Sequence, residues 1–90
     1  MVTQFEGAKV TVQGTTFGIV IVKSHVLHNS QEQAGARLLG IKAFGQIPIV
    51  LMTQDSRGVP TYQGRRDIVR FLTNVFLEQI PWQRYTLSPA

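Results

Sequence analysis

Two short stretches of this chain are apolar on both faces of an extended strand, and they set most of what it can become. In Phe17–Val22, the side chains of Phe17, Ile19 and Ile21 line one face, and Val20 and Val22 the other, beside Gly18. In Ile49–Met52, Ile49 and Leu51 oppose Val50 and Met52. A strand apolar on both faces belongs inside a sheet that is covered on both sides. The chain therefore needs covering layers. At 90 residues it has length for one domain, residues 1–90, with residues 1–6 and 88–90 expected to fray.

The flanking segments supply the rest. Ala8–Gln13 alternates, with Val10 and Val12 on one side and Lys9, Thr11 and Gln13 on the other, which is the pattern of a half-buried strand. Gly14 turns the chain into the strand Thr15–Val22. Lys23–His28 reads as a strand end or a loop. Asn29 with Glu32, or Ser30 with Gln33, offers a capping box. A helix then runs to Phe44 and stops at Gly45. Gly35 and Gly40 each weaken it by about 1 kcal/mol relative to alanine, or else let it approach the sheet closely.

Ile47–Thr53 is the third strand, and Pro48 fits only near its start. Asp55-Ser56-Arg57-Gly58 is a type I turn, and Val59–Gln63 returns as an edge strand marked by Pro60. After Gly64, the spacing of Ile68, Leu72, Val75 and Phe76 predicts a helix to about Gln79. The tail Trp82–Leu87 is aromatic enough to pack back on the domain. The order is ββαββα, an α/β fold with a mixed four-stranded sheet and two helices. Its first helix is a right-handed crossover between parallel strands.

This arrangement has two outcomes. Helices on opposite faces would close the sheet within one chain. Helices on one face would leave Val20, Val22, Val50 and Met52 bare, and a bare apolar face marks a partner surface. A second copy is the commonest such partner, so a homodimer is expected, with Trp82 and Tyr85 of the tail extending the interface.

Composition excludes several functions. With no cysteine, the chain has no disulfide framework, thiolate metal site or thiol redox chemistry. The start Met1–Glu6 lacks the pattern of a signal peptide, and the longest apolar run, Phe17–Val22, is too short to span a bilayer. A cytoplasmic protein without membrane attachment is expected. The net charge of +4 weakly favours acidic partners.

Three groups of side chains could carry chemistry. Arg57 lies in the hairpin turn, Arg65 and Arg66 open the last helix, and Arg70 follows one turn on. With Tyr62 as a stacking surface, these arginines could hold phosphate or a nucleic-acid backbone. The plainer alternative is a solvated helix face on which Asp67 pairs with Arg70. His25 and His28, with Glu32 a turn away, are weak metal candidates, since a site needs three or four ligands. A catalytic histidine would need a nucleophile or carboxylate beside it. Ser24 and Asp55 are available, but no known catalytic motif frames them. No cofactor is expected.

From Ile47 to Leu72 the chain reads Ile-Pro, an apolar strand, a polar turn, a short strand, glycine, and a helix ending in Phe71-Leu72. This resembles the C-terminal half of a thioredoxin-like domain, where a proline opens the third strand. The resemblance implies a truncated thioredoxin-like fold as an alternative, one that a cis bond before Pro48 would strengthen. Where that family carries its redox cysteines, this chain reads Ser24-His25-Val26-Leu27-His28, so the redox activity does not carry over. The stretch between Ser24 and Ile47 is also shorter than the family's helix–strand–helix. The residues thus point to a small non-enzymatic protein that binds protein partners, itself included. The alternative is a nucleic-acid or phosphate-binding module using Arg65, Arg66 and Arg70.

Overall fold

The computed structural model describes residues 3–87. They form a mixed α/β fold whose sheet has five strands, in the order β4-β3-β2-β1-β5. The strands are β1 (Thr3–Val12), β2 (Thr15–Ile21), β3 (Ile49–Gln54), β4 (Pro60–Gln63) and β5 (Gln83–Leu87). The helices are α1 (Ser30–Phe44) and α2 (Arg66–Leu72). Short 3-10 segments cover Ser24–His28 and Leu77–Gln79.

The two central strands lie side by side and parallel, with Ile19 opposite Val50 and Val20 opposite Leu51. That register groups Val20 with Ile49 and Leu51 under α1. Ile19, Val50 and Met52 lie on the other face, under Ile68 and Leu72 of α2. The helices therefore take opposite faces. Val20, Val50 and Met52 are buried within one chain, and Val22 packs half-buried beside Val20. The bare face expected for one-sided helices does not form. Val20 and Val50 in fact belong to different faces.

Sequence expectations are corrected at several points. The sheet has five strands, because the tail Gln83–Leu87 pairs antiparallel with Thr3–Gly7. Residues 3–6, expected to fray, are thereby held in β1, with Arg84 Nη2 3.2 Å from Glu6 Oε1 across the strands. The expected fraying of 88–90 lies outside the described residues. The last helix stops at Leu72 instead of Gln79. There the side chains of Thr73 and Asn74 both donate to the Arg70 carbonyl, at 2.7 and 3.1 Å, competing with the next helical turn. The described residues contain no cis peptide bond, so the bond before Pro48 is trans, and the thioredoxin-like alternative loses that support.

The first helix begins and ends as its sequence dictates. Asn29 Oδ1 accepts from the Glu32 N–H at 3.0 Å, and Gly45 closes the helix at φ +99°. Its two internal glycines differ. A methyl at Gly40 would lie 2.8 Å from Ile49 Cγ2 and 3.1 Å from Val20 Cγ2, whereas at Gly35 it would meet nothing within 4 Å. Gly35→Ala is therefore expected to raise stability by about 0.5–1 kcal/mol, the difference in helix propensity. Gly40→Ala should lower it, because the helix would have to lift from the sheet. Urea unfolding of the two variants, followed by far-UV circular dichroism, compares the signs directly.

Strand β4 is a free edge, and its polarity can be assigned. The Val22 N–H donates to the Met52 carbonyl at 2.8 Å, and the Asp55 N–H to Val59 at 3.0 Å. Even-numbered residues of β3 thus address β2, and odd-numbered ones address β4. By antiparallel alternation, Thr61 and Gln63 bond back to β3, while Pro60 and Tyr62 direct their backbone groups outward. Pro60 has no N–H to leave unpaired there, which is why a proline is tolerated. No helix among the described residues is long and apolar enough to cross a membrane.

Candidate functional site

The arginines do not converge. Arg65 is the N-cap of α2 and grips Asp67 through two bonds of 2.7 Å, Nε to Oδ1 and Nη2 to Oδ2. This fork holds the Asp67 carboxyl down to about 2. Asp67 thus pairs with Arg65, not with Arg70. Arg66 and Arg70 are exposed one turn apart, with no carboxylate partner among the described residues. Arg57 sits at the far end of β4, in the hairpin turn, 3.9 Å from Asp55. Between these ends, the Tyr62 ring packs on the α2-side core.

The tail aromatics are engaged within the chain. Trp82 Nε1 donates to the Leu77 carbonyl at 2.9 Å. Tyr85 stacks on Phe5, with ring centroids 5.4 Å apart, and meets the Phe44 ring edge-on at 4.8 Å. Of the histidines, His25 lies 3.4 Å from Glu32 on the surface. Among the described residues, no group of three His, Cys, Asp or Glu side chains is placed to hold a metal.

Two depressions bear on the residues singled out by the sequence. The first is a cleft of mixed polarity, about 470 Å³, between the 3-10 segment that follows β2, the end of β3 and β4. Ser24, Leu27 and His28 of the 3-10 segment line one side; Thr53, Gln54, Asp55, Thr61, Tyr62 and Gln63 line the other. His28 thus sits in a concave site beside polar groups, as a catalytic histidine would have to. The hydrogen bonding does not build a triad. Asp55 Oδ1 accepts from the N–H groups of Arg57 and Val59, at 2.8 and 3.0 Å, and so belongs to the turn. No hydrogen bond joins His28 to Ser24 or Asp55 among the described residues.

The second is an apolar groove of about 390 Å³ between β4 and the segment after α2, lined by Val59, Pro60, Tyr62, Leu72, Val75, Phe76 and Leu77. Val59 and Phe76 are 53% and 74% exposed, unusual for such side chains. The Tyr62 hydroxyl is buried and has no hydrogen-bond partner. Burial raises its pKa above the ordinary value of 10.

An unpartnered buried hydroxyl destabilises the fold. Tyr62→Phe is therefore expected to raise stability by about 1 kcal/mol in urea unfolding near neutral pH. The pH dependence has a definite sign. With the folded-state pKa raised, the unfolded chain releases the phenolic proton first, so stability is full below about pH 10 and falls as pH rises beyond it. The contribution of Tyr62 to that alkaline loss should vanish in Tyr62→Phe.

The sequence reading missed both depressions. Thr53 and Gln63 share a sheet face with Leu51, as strand alternation implies, but three hydroxyls and amides on strand ends match no motif. Phe76 was hidden by the helix expected to continue through it, and Val59 by the edge strand expected to begin there, which starts at Pro60. The class defined by fold and site is a five-stranded α/β domain with a cleft of mixed polarity and an apolar groove on either side of β4. No family model, curated protein or solved structure matches the chain significantly.

Proposed function

We propose that this is a small non-enzymatic binding protein that acts through protein–protein contact and assembles as a homodimer along the β4 edge. The observation that carries this reading is the exposure of Phe76 and Val59 beside an open strand. Exposed apolar surface next to unpaired backbone groups is a place where another chain gains both burial and hydrogen bonds.

The edge is also self-complementary. Tyr62 directs both its N–H and its carbonyl outward, so two copies related by a two-fold axis at Tyr62 exchange a pair of hydrogen bonds. In that register Pro60 faces Gly64 of the second copy, a carbonyl opposite an N–H. Pro60 lacks a donor and accepts there only. A two-fold interface needs this kind of self-matching pattern. The interface expected at Val20, Val22, Val50, Met52, Trp82 and Tyr85 is moved to the edge, since Val20, Val50 and Met52 are buried and the other three pack against the core of their own chain.

Sedimentation across a concentration series tests the proposal. Twice the 10.1 kDa chain mass is expected for the unmodified protein. Phe76→Asp should sediment as a monomer with an unchanged circular dichroism spectrum, because Phe76 contributes little to the core. A monomer for the unmodified protein at every concentration removes the reading.

The free pair Arg66 and Arg70 favours a second reading, a contact with nucleic acid or another polyanion. Such binding weakens steeply with added salt. Absence of binding at low salt, or binding unchanged in Arg66→Ala/Arg70→Ala, disposes of it.

A further inference from the structure

We propose that the cleft between the 3-10 segment after β2, the end of β3 and β4 binds a small uncharged molecule rich in hydroxyl groups, of the monosaccharide or cyclic-polyol class. Its position is the first argument. Open α/β sheets bind ligands outside the carboxyl ends of their strands, and here the end of β3 and the segment that leaves β2 border the cleft. At about 470 Å³ the cleft is in the size range of small-molecule sites.

The chemistry of the lining selects the ligand. The charged or amide groups around it are already engaged. Asp55 accepts from two turn N–H groups, Gln54 Nε2 donates to the Gly58 carbonyl at 3.1 Å, and Gln63 Oε1 accepts from Arg37 at 3.4 Å. Ser24, His28, Thr53 and Thr61 make no side-chain hydrogen bond among the described residues. Three of the four are hydroxyls, each able to donate and accept. Such a set suits a ligand whose own groups do both. Asp55 is the one carboxylate among the lining residues, and its Oδ1 is committed to the turn.

Thr53 is the informative member. It is the buried polar side chain of the described residues, 8% exposed, yet it lies on the cleft wall. Its hydroxyl is not among the buried unpartnered groups, so it faces water in the cleft, which a ligand hydroxyl would replace. Tyr62 also borders the cleft, although its ring packs with the α2-side core.

The test is a two-dimensional 15N NMR titration of the full chain with D-glucose, D-galactose and myo-inositol, and separately with inorganic phosphate. Saturable shifts with at least one polyol, confined to residues 24–28, 53–55 and 61–63, are expected. Thr53→Val keeps the side-chain shape and should weaken that binding about tenfold, the equivalent of one lost hydrogen bond. Its otherwise unchanged spectrum would show that the fold is intact. Thr61→Val, on the exposed edge strand, serves as a second variant with the same expected direction. Three results overturn the proposal: no saturable shift with any of the three polyols, saturation by phosphate alone, or polyol binding unaltered in both variants.

Discussion

Leu51→Ala is expected to lower folding stability by about 2–5 kcal/mol, the range for emptying a well-packed aliphatic site. Leu51 is fully buried at the centre of β3, between β2 and β4, and faces α1 with Val20, Ile49 and Phe44. Its backbone is fixed on both sides by strand pairing, so the walls of the resulting cavity cannot collapse easily. A domain of this length has a total stability of roughly 5–13 kcal/mol. The substitution thus removes a large fraction of it. Each kcal/mol corresponds to about 4–8 °C in Tm for a domain of this size. Thermal melts and urea unfolding should agree, and a loss below about 1 kcal/mol would show that the centre of the sheet is not packed as described.

Gly7→Ala is expected to cost about 1–3 kcal/mol or more, although it adds a single methyl group. Gly7 lies on β1, paired with Val20 of β2 and Gln83 of β5. A Cβ there would stand 2.2 Å from the Ile19 carbonyl oxygen and 3.2 Å from the Phe5 ring. The ring can swing, but the carbonyl belongs to the sheet backbone. Relief therefore requires β1 to move, and β5 is attached to the sheet through β1. Amide hydrogen exchange is the sharper measurement. Protection should fall first across Gln83–Leu87 and Thr3–Gly7, while the β2–β3 pair keeps its own. Uniform loss of protection, or none, would contradict this placement of Gly7.

How much was legible in the residues varied from element to element, for physical reasons. Phe17–Val22 and Ile49–Met52 announced an internal parallel pair because burial on both faces leaves no polar alternation. Asn29, Glu32 and Gly45 announced the limits of α1 because caps are local. The fifth strand was not legible. Its pairing joins Thr3–Gly7 to Gln83–Leu87 across nearly the whole chain, and its apolar positions, Tyr85 and Leu87, also suit a packed tail. The early end of α2 was hidden because Val75 and Phe76 continue the helical spacing, while Thr73 and Asn74 break it through their own hydrogen bonds. The face assignment failed on register alone. Alternation sorts residues within a strand, but only pairing says that Val20 sits beside Leu51 and not beside Val50. The cleft was illegible because its hydroxyls are ordinary residues brought together only by the ends of three elements.

A sheet clad on both sides divides the interior into two compartments separated by a screen of peptide groups. Phe44 belongs to one compartment and Leu72 to the other. Truncations at these two sites share no side-chain neighbours, so their free-energy costs should sum to within about 0.5 kcal/mol in a double-mutant cycle. The molecule then behaves, under mutation, as two thin cores laminated back to back, each able to be redesigned without retuning the other.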